Sequence, residues 1–192
     1  TRCERGVDFG GNWLGTRSDT SGLVMSENKY DRYLRTRDGV LDRDLVMSAG
    51  TYTVDCDGEP NTGSPLLIAA GATLTIPTGT TLRTVDTVEN DWERFTYQLF
   101  RVEGALVAEG AIFEVRTLSR LGVPHNETRV ITIGGEGTAR FSGCTIRAGD
   151  RSRHFEDHPY YNNRQGRVFE VGGQGSLTLA GCTLTTAEST TP

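Results

Sequence analysis

Along most of this chain, apolar and polar residues alternate in runs of three to five positions, and each run stops at a glycine or another small residue. From Leu66 the sequence reads LLIAAGATLTIPTGTTLRT, from Leu99 LFRVEGALVAEGAIFEVRT, from Val130 VITIGGEGTARFSGCTIRA and from Val168 VFEVGGQGSLTLAGCTLTT. Alternation sends successive side chains of an extended strand to opposite faces. Each segment therefore predicts three short strands separated by two tight corners. A fifth segment, LVMSAGTYTV from Leu45, reads as the first two strands of the same unit.

Written one under another, these segments form columns. In the first strand Leu45, Leu66, Phe100, Ile131 and Phe169 share one column, and Met47, Ile68, Val102, Ile133 and Val171 the next. The second strand gives Tyr52, Leu74, Leu106, Ala139 and Leu177, then Val54, Ile76, Ala108, Phe141 and Leu179. The third gives Thr80, Ala111, Cys144 and Cys182, then Leu82, Phe113, Ile146 and Leu184. A sandwich of hairpins also has short strands, but its partners run antiparallel and do not preserve the order of a three-strand unit. A unit recurring every ~20 to 40 residues with variable insertions predicts coils that stack, each burying its inward row against the next.

The stretch GATLTIPTGTTLR from Gly71 resembles the rungs of right-handed parallel β-helix proteins of the pectin-lyase-like kind, above all those that open surface proteins. The resemblance covers roughly residues 41–187. It implies an all-β, right-handed solenoid of about five rungs over residues 41–192, preceded by an arm or cap in residues 1–40. It implies little about activity, because this architecture hosts lyases, hydrolases, adhesins and structural fibres alike. Within the arm, SENKYDRYLRTR (26–37) predicts a short helix, with Ser26 as N-cap and Tyr30, Tyr33 and Leu34 on one face.

Composition agrees with short strands and many turns: 24 of 192 residues are glycine and only 35% are hydrophobic. The net charge of −5 and the scattered basic residues, of which only Lys29 is a lysine, argue against a nucleic-acid partner. No apolar run approaches the ~20 residues of a membrane span. The sequence starts at Thr1, with no charged segment leading into an apolar one, and is read as a secreted chain after signal-peptide removal or as a cut one.

Cys144 and Cys182 sit in the same small-Gly-Cys-Thr-aliphatic setting 38 positions apart, hence one rung apart in one inward column. Stacked strands lie about 4.8 Å from each other, inside the roughly 4.4–6.8 Å Cα range of a disulfide. A bridge is expected, with two reduced thiols filling a core ladder as the alternative. Cys3 and Cys56 would then pair, on the strength of an even cysteine count and a secreted context. No cysteine or histidine spacing suits zinc, so no metal or other cofactor is expected. Calcium is the only candidate ion, at Asp55–Pro60 (DCDGEP), which lacks the later ligands of a calcium loop and reads more simply as a turn. DFGGNWLG (Asp8–Gly15) has no phosphate-loop context, and its glycines are read as turns.

Facing outward, Arg83, Glu114 and Arg147 share a column and predict a charge ladder. Thr81, Thr145 and Thr183 align too, but Ile112, Val107 and Arg140 break any regular threonine array of the ice-binding kind.

Three long excursions, residues 85–98, 118–128 and 149–166, leave from the same corner and should lie side by side. They would gather Trp92, Tyr97, His125, His154, Asp157, His158, Tyr160 and Tyr161. One reading is a carbohydrate edge, with Trp92, Tyr97, Tyr160 and Tyr161 against sugar faces and His154, Asp157 (or Glu156) and His158 as acid/base candidates. His154 and His158 would share a metal only on a helix, which Pro159 disfavours. The other reading is packing against the solenoid wall or a neighbouring subunit, where tyrosine and tryptophan are enriched. Asn126 opens an N-glycosylation sequon, NET.

After Leu184 only TTAESTTP follows, too short to cap a rung. Either the sequence is a piece of a longer protein or the open rung meets another subunit; the second reading leads to an extracellular or cell-surface structural protein that assembles head-to-tail with copies of itself into a filament, sheath or array. The rival is a polysaccharide-active enzyme or carbohydrate-binding module working at the loop edge.

Overall fold

The computed structural model describes residues 5–9, 30–35, 39–55, 66–84, 99–117, 128–150 and 166–187. Every regular element among them is a strand. Two strands come first, β1 (Arg5–Phe9) and β2 (Tyr30–Arg35). Five triplets follow: β3 (Val40–Leu41), β4 (Leu45–Val46) and β5 (Gly50–Asp55); β6 (Leu66–Ile68), β7 (Thr73–Ile76) and β8 (Thr80–Thr84); β9 (Phe100–Val102), β10 (Ala105–Glu109) and β11 (Ile112–Thr117); β12 (Thr128–Ile133), β13 (Thr138–Ser142) and β14 (Thr145–Asp150); and β15 (Gly166–Val171), β16 (Ser176–Ala180) and β17 (Thr183–Ala187).

Each triplet is one rung, and corresponding strands of successive rungs pair in parallel. The first sheet runs β3-β6-β9-β12-β15 and the second β4-β7-β10-β13-β16. The third begins with the two N-terminal strands and runs β1-β2-β5-β8-β11-β14-β17. The fold is a parallel β-helix of five rungs. From the second rung onward the predicted columns are the observed register: Leu66 pairs with Phe100, Phe100 with Ile131 and Ile131 with Phe169. Ile133 pairs with Val171, Phe141 with Leu179 and Ile146 with Leu184.

The inward rows form a continuous apolar core. Phe113 from the third sheet, Phe141 from the second and Phe169 from the first meet edge to face, with ring centroids 5.5 and 5.2 Å apart. Such contacts add about 0.5–1.5 kcal/mol each beyond the area they bury. At the corner that opens β13, a Cβ on Gly137 would collide with the Val102 carbonyl oxygen of the rung below. Glycine there allows one rung's turn to rest on the backbone of another.

Two sequence expectations are corrected. LVMSAGTYTV supplies the second and third strands of the first rung, not the first and second: Leu45 pairs with Leu74, and Tyr52 with Leu82. Leu41 takes the place expected of Met47, pairing with Ile68. Between β3 and β4 the corner is Asp42-Arg43-Asp44 in place of a glycine turn, and the Asp44 carboxylate accepts the Thr73 amide at 2.8 Å. The second correction concerns the helix expected over 26–37, because Tyr30–Arg35 is strand β2, paired with β5 at Tyr33↔Thr53 and Leu34↔Val54. A helix this short has little intrinsic stability. The edge of β5 offers a full row of backbone partners, and tyrosine suits a strand.

Candidate functional site

The fifth rung is where the molecule departs from its own pattern. Val171, Leu179 and Leu184 occupy inward columns, yet they are 47%, 41% and 49% exposed. Their partners one rung below, Ile133, Phe141 and Ile146, are 0%, 0% and 2% exposed. At the opposite end Leu41, Met47, Tyr52 and Val54 of the first rung are buried. Among the described residues, the inward side chains of the first rung are covered and those of the fifth are exposed.

Backbone geometry reinforces this polarity. β15, β16 and β17 are the terminal strands of the three sheets among the described residues. They pair with the fourth rung on one side only, as where Thr183 N donates to Cys144 O at 2.9 Å and Ser176 N to Gly137 O at 2.9 Å. A terminal parallel strand directs the other half of its peptide groups away from the sheet. The open rung can therefore offer apolar side chains and a directional row of donors and acceptors together.

Cys144 and Cys182 lie at this end. Each follows a corner glycine with left-handed φ, Gly143 and Gly181, both at +61°. The expected bridge is not formed and both are free thiols. The Cys144 thiol is buried and donates toward Ala108 O at 3.4 Å and Ser142 O at 3.5 Å; Cys182 is partly exposed and donates toward Ala180 O at 3.6 Å. These carbonyl contacts are what let a thiol fill the inward column. Burial, and the Cys182 thiol beside it, push the Cys144 thiol above its usual range.

On the third sheet's outer face the charge ladder forms as expected. Glu114 receives Arg147 at 2.8 Å on one carboxylate oxygen and Arg83 at 3.8 Å on the other. All three are substantially exposed, so the ladder fixes register more than it stabilises. Thr81, Ile112, Thr145 and Thr183 stack beside it.

The chain matches no protein-family model, no curated protein and no solved structure. The site is therefore read from this chain's own residues.

The roots of the long excursions are stacked. β8, β11 and β14 all leave the third sheet, and β9, β12 and β15 all enter the first. Thr117 pairs with Asp150 at the exits and Thr128 with Gly166 at the entries. The connection from β5 to β6 spans the same corner, a fourth excursion not counted from sequence. Trp92, Tyr97, His125, Asn126, His154, Glu156, Asp157, His158, Tyr160 and Tyr161 lie outside the described residues, as do Cys3, Cys56 and the 57–60 segment of the calcium candidate. Among the described residues, no group of three or more histidine, cysteine, aspartate or glutamate side chains is arranged to hold a metal ion, and no helix is long and apolar enough to cross a membrane.

Proposed function

We propose that this chain is an extracellular or cell-surface structural protein that polymerises head-to-tail, its open fifth rung receiving the N-terminal arm of the next copy. The observation that carries this reading is the exposure of Val171, Leu179 and Leu184 in columns that are buried in every complete rung below. A closed end and an open end differ in shape and chemistry, so contact between them is heterologous and propagates. Strand addition supplies directional hydrogen bonds and the aliphatic side chains supply apolar area.

Sedimentation velocity across a concentration series tests the proposal, with electron microscopy of the largest species. Assembly should rise with concentration, and Val171→Glu with Leu184→Glu should return the protein to monomer without loss of β structure. A wild-type protein that stays monomeric throughout, or a double variant that assembles equally well, overturns it.

A second reading rests on the stacked roots of the excursions: an edge that binds or cleaves polysaccharide, with Asp157 and His158 as acid/base residues and His154 beside them. It predicts release of reducing ends from an acidic glycan, or retention on it, and loss of either in Asp157→Asn and His158→Ala variants. The absence of both release and retention across a broad glycan panel removes it.

A further inference from the structure

The corner column that holds Thr80, Ala111, Cys144 and Cys182 places a buried thiol directly beneath a reachable one. Thr145 pairs with Thr183 immediately after the two cysteines, and Thr183 N bonds to Cys144 O at 2.9 Å. The corners before them share a conformation, Gly143 and Gly181 both having φ +61°. The cysteine backbones are thus superposed with a rung spacing of about 4.8 Å, within the Cα range that a disulfide spans. Access is graded. Cys182 is partly exposed at the fifth rung, whereas Cys144 is 1% exposed.

We infer that Cys182 and Cys144 form a reactive dithiol site, in which Cys182 takes an incoming small-molecule disulfide and Cys144 resolves it into a bridge that staples the fifth rung to the fourth. The Cys182 thiol loses its proton to solvent and its sulfur attacks one sulfur of the disulfide RSSR, releasing RSH and leaving Cys182 as a mixed disulfide. Cys144 then gives up its proton and attacks the Cys182 sulfur, expelling the second RSH. Two cysteine thiols are oxidised and one RSSR is reduced to two RSH. The bridge closes the chain between Cys144 and Cys182, with β14, β15 and β16 inside the loop, so the rung with the least cover gains a covalent tie. The site acts on a copy whose fifth rung is undocked, and it does not rest on the assembly reading.

The test treats the reduced full chain with oxidised glutathione, quenches with acid and N-ethylmaleimide, and maps peptides by mass. The expected result is loss of alkylation at Cys144 and Cys182 together, a single cross-linked peptide pair lighter by two hydrogens, and no retained glutathione. Cys182→Ser, at a partly exposed position, should keep the far-ultraviolet dichroism of the wild type while Cys144 stays unoxidised. Cys144→Ala should instead trap glutathione on Cys182. The inference is overturned if wild-type Cys182 retains glutathione with Cys144 free, if neither cysteine reacts, or if either is found joined to Cys3 or Cys56.

Discussion

The fourth and fifth rungs are built from nearly the same phrase, VITIGGEGTARFSGCTIRA and VFEVGGQGSLTLAGCTLTT, yet one is core and the other surface. Ile133, Phe141 and Ile146 are sealed, while Val171, Leu179 and Leu184 in the same columns are roughly half exposed. Burial in a solenoid belongs to the stack rather than to the residue, since each rung's inward row is covered only by neighbours. Among the described residues, the fifth rung carries the pattern of an interior layer and has a neighbouring rung on one side.

The largest effect that would sharpen this contrast is expected from Phe141→Ala. It removes a fully buried ring and both of its edge-to-face contacts, and should cost about 3–5 kcal/mol in urea unfolding. Leu179→Ala, in the same column, should cost about 1 kcal/mol or less in the monomer, because much of its surface is already in water. Equal losses at both sites would break the contrast. Next comes the corner pair. Gly137→Ala drives a Cβ into the Val102 carbonyl, for about 1–3 kcal/mol of overpacking. Gly175→Ala meets the Gly172 carbonyl oxygen and the Ile133 side chain at 3.0 Å, a looser fit than the 2.3 Å at Gly137, and its midpoint in the same titration should move less.

Glu114→Gln removes the carboxylate charge that Arg83 and Arg147 share in the outward ladder. The loss should be about 0.2–1 kcal/mol, shrinking as salt screens exposed charges, which thermal melts at two ionic strengths will read. At neutral pH the smallest contribution is the Cys144 proton. Burial raises its folded-state pKa above the unfolded one, so folding favours the protonated thiol. That stability is complete below the ordinary thiol range and declines as pH rises through it toward the folded value. Cys144→Ala should flatten the alkaline limb of a stability-against-pH curve.

The stack was legible because its two periods are strong and independent: alternation within each strand names the inward residues, and the repeated unit order names their vertical partners. Legibility failed where one of these signals was missing. The first rung has strands of only two residues, Val40–Leu41 and Leu45–Val46, too short to alternate, and an Asp-Arg-Asp corner where later rungs have glycine. Its frame was therefore read one strand out. In residues 30–35 a local helical spacing competed with a distant sheet edge, and the edge prevailed. Cys144 and Cys182 were placed correctly in one column, but column membership fixes proximity and leaves oxidation state to the surroundings. The inward row of the fifth rung is legible from the same two periods, whereas the aromatic and histidine residues of the excursions obey no period that would fix their geometry.

Because the backbone bonds between rungs lie along the solenoid axis, a pull along that axis would load the rung interfaces in series, each carrying the full force. Failure should start at the most weakly covered interface, so the molecule would peel from the fifth rung downward, and a single sulfur–sulfur link there would decide where the peeling begins.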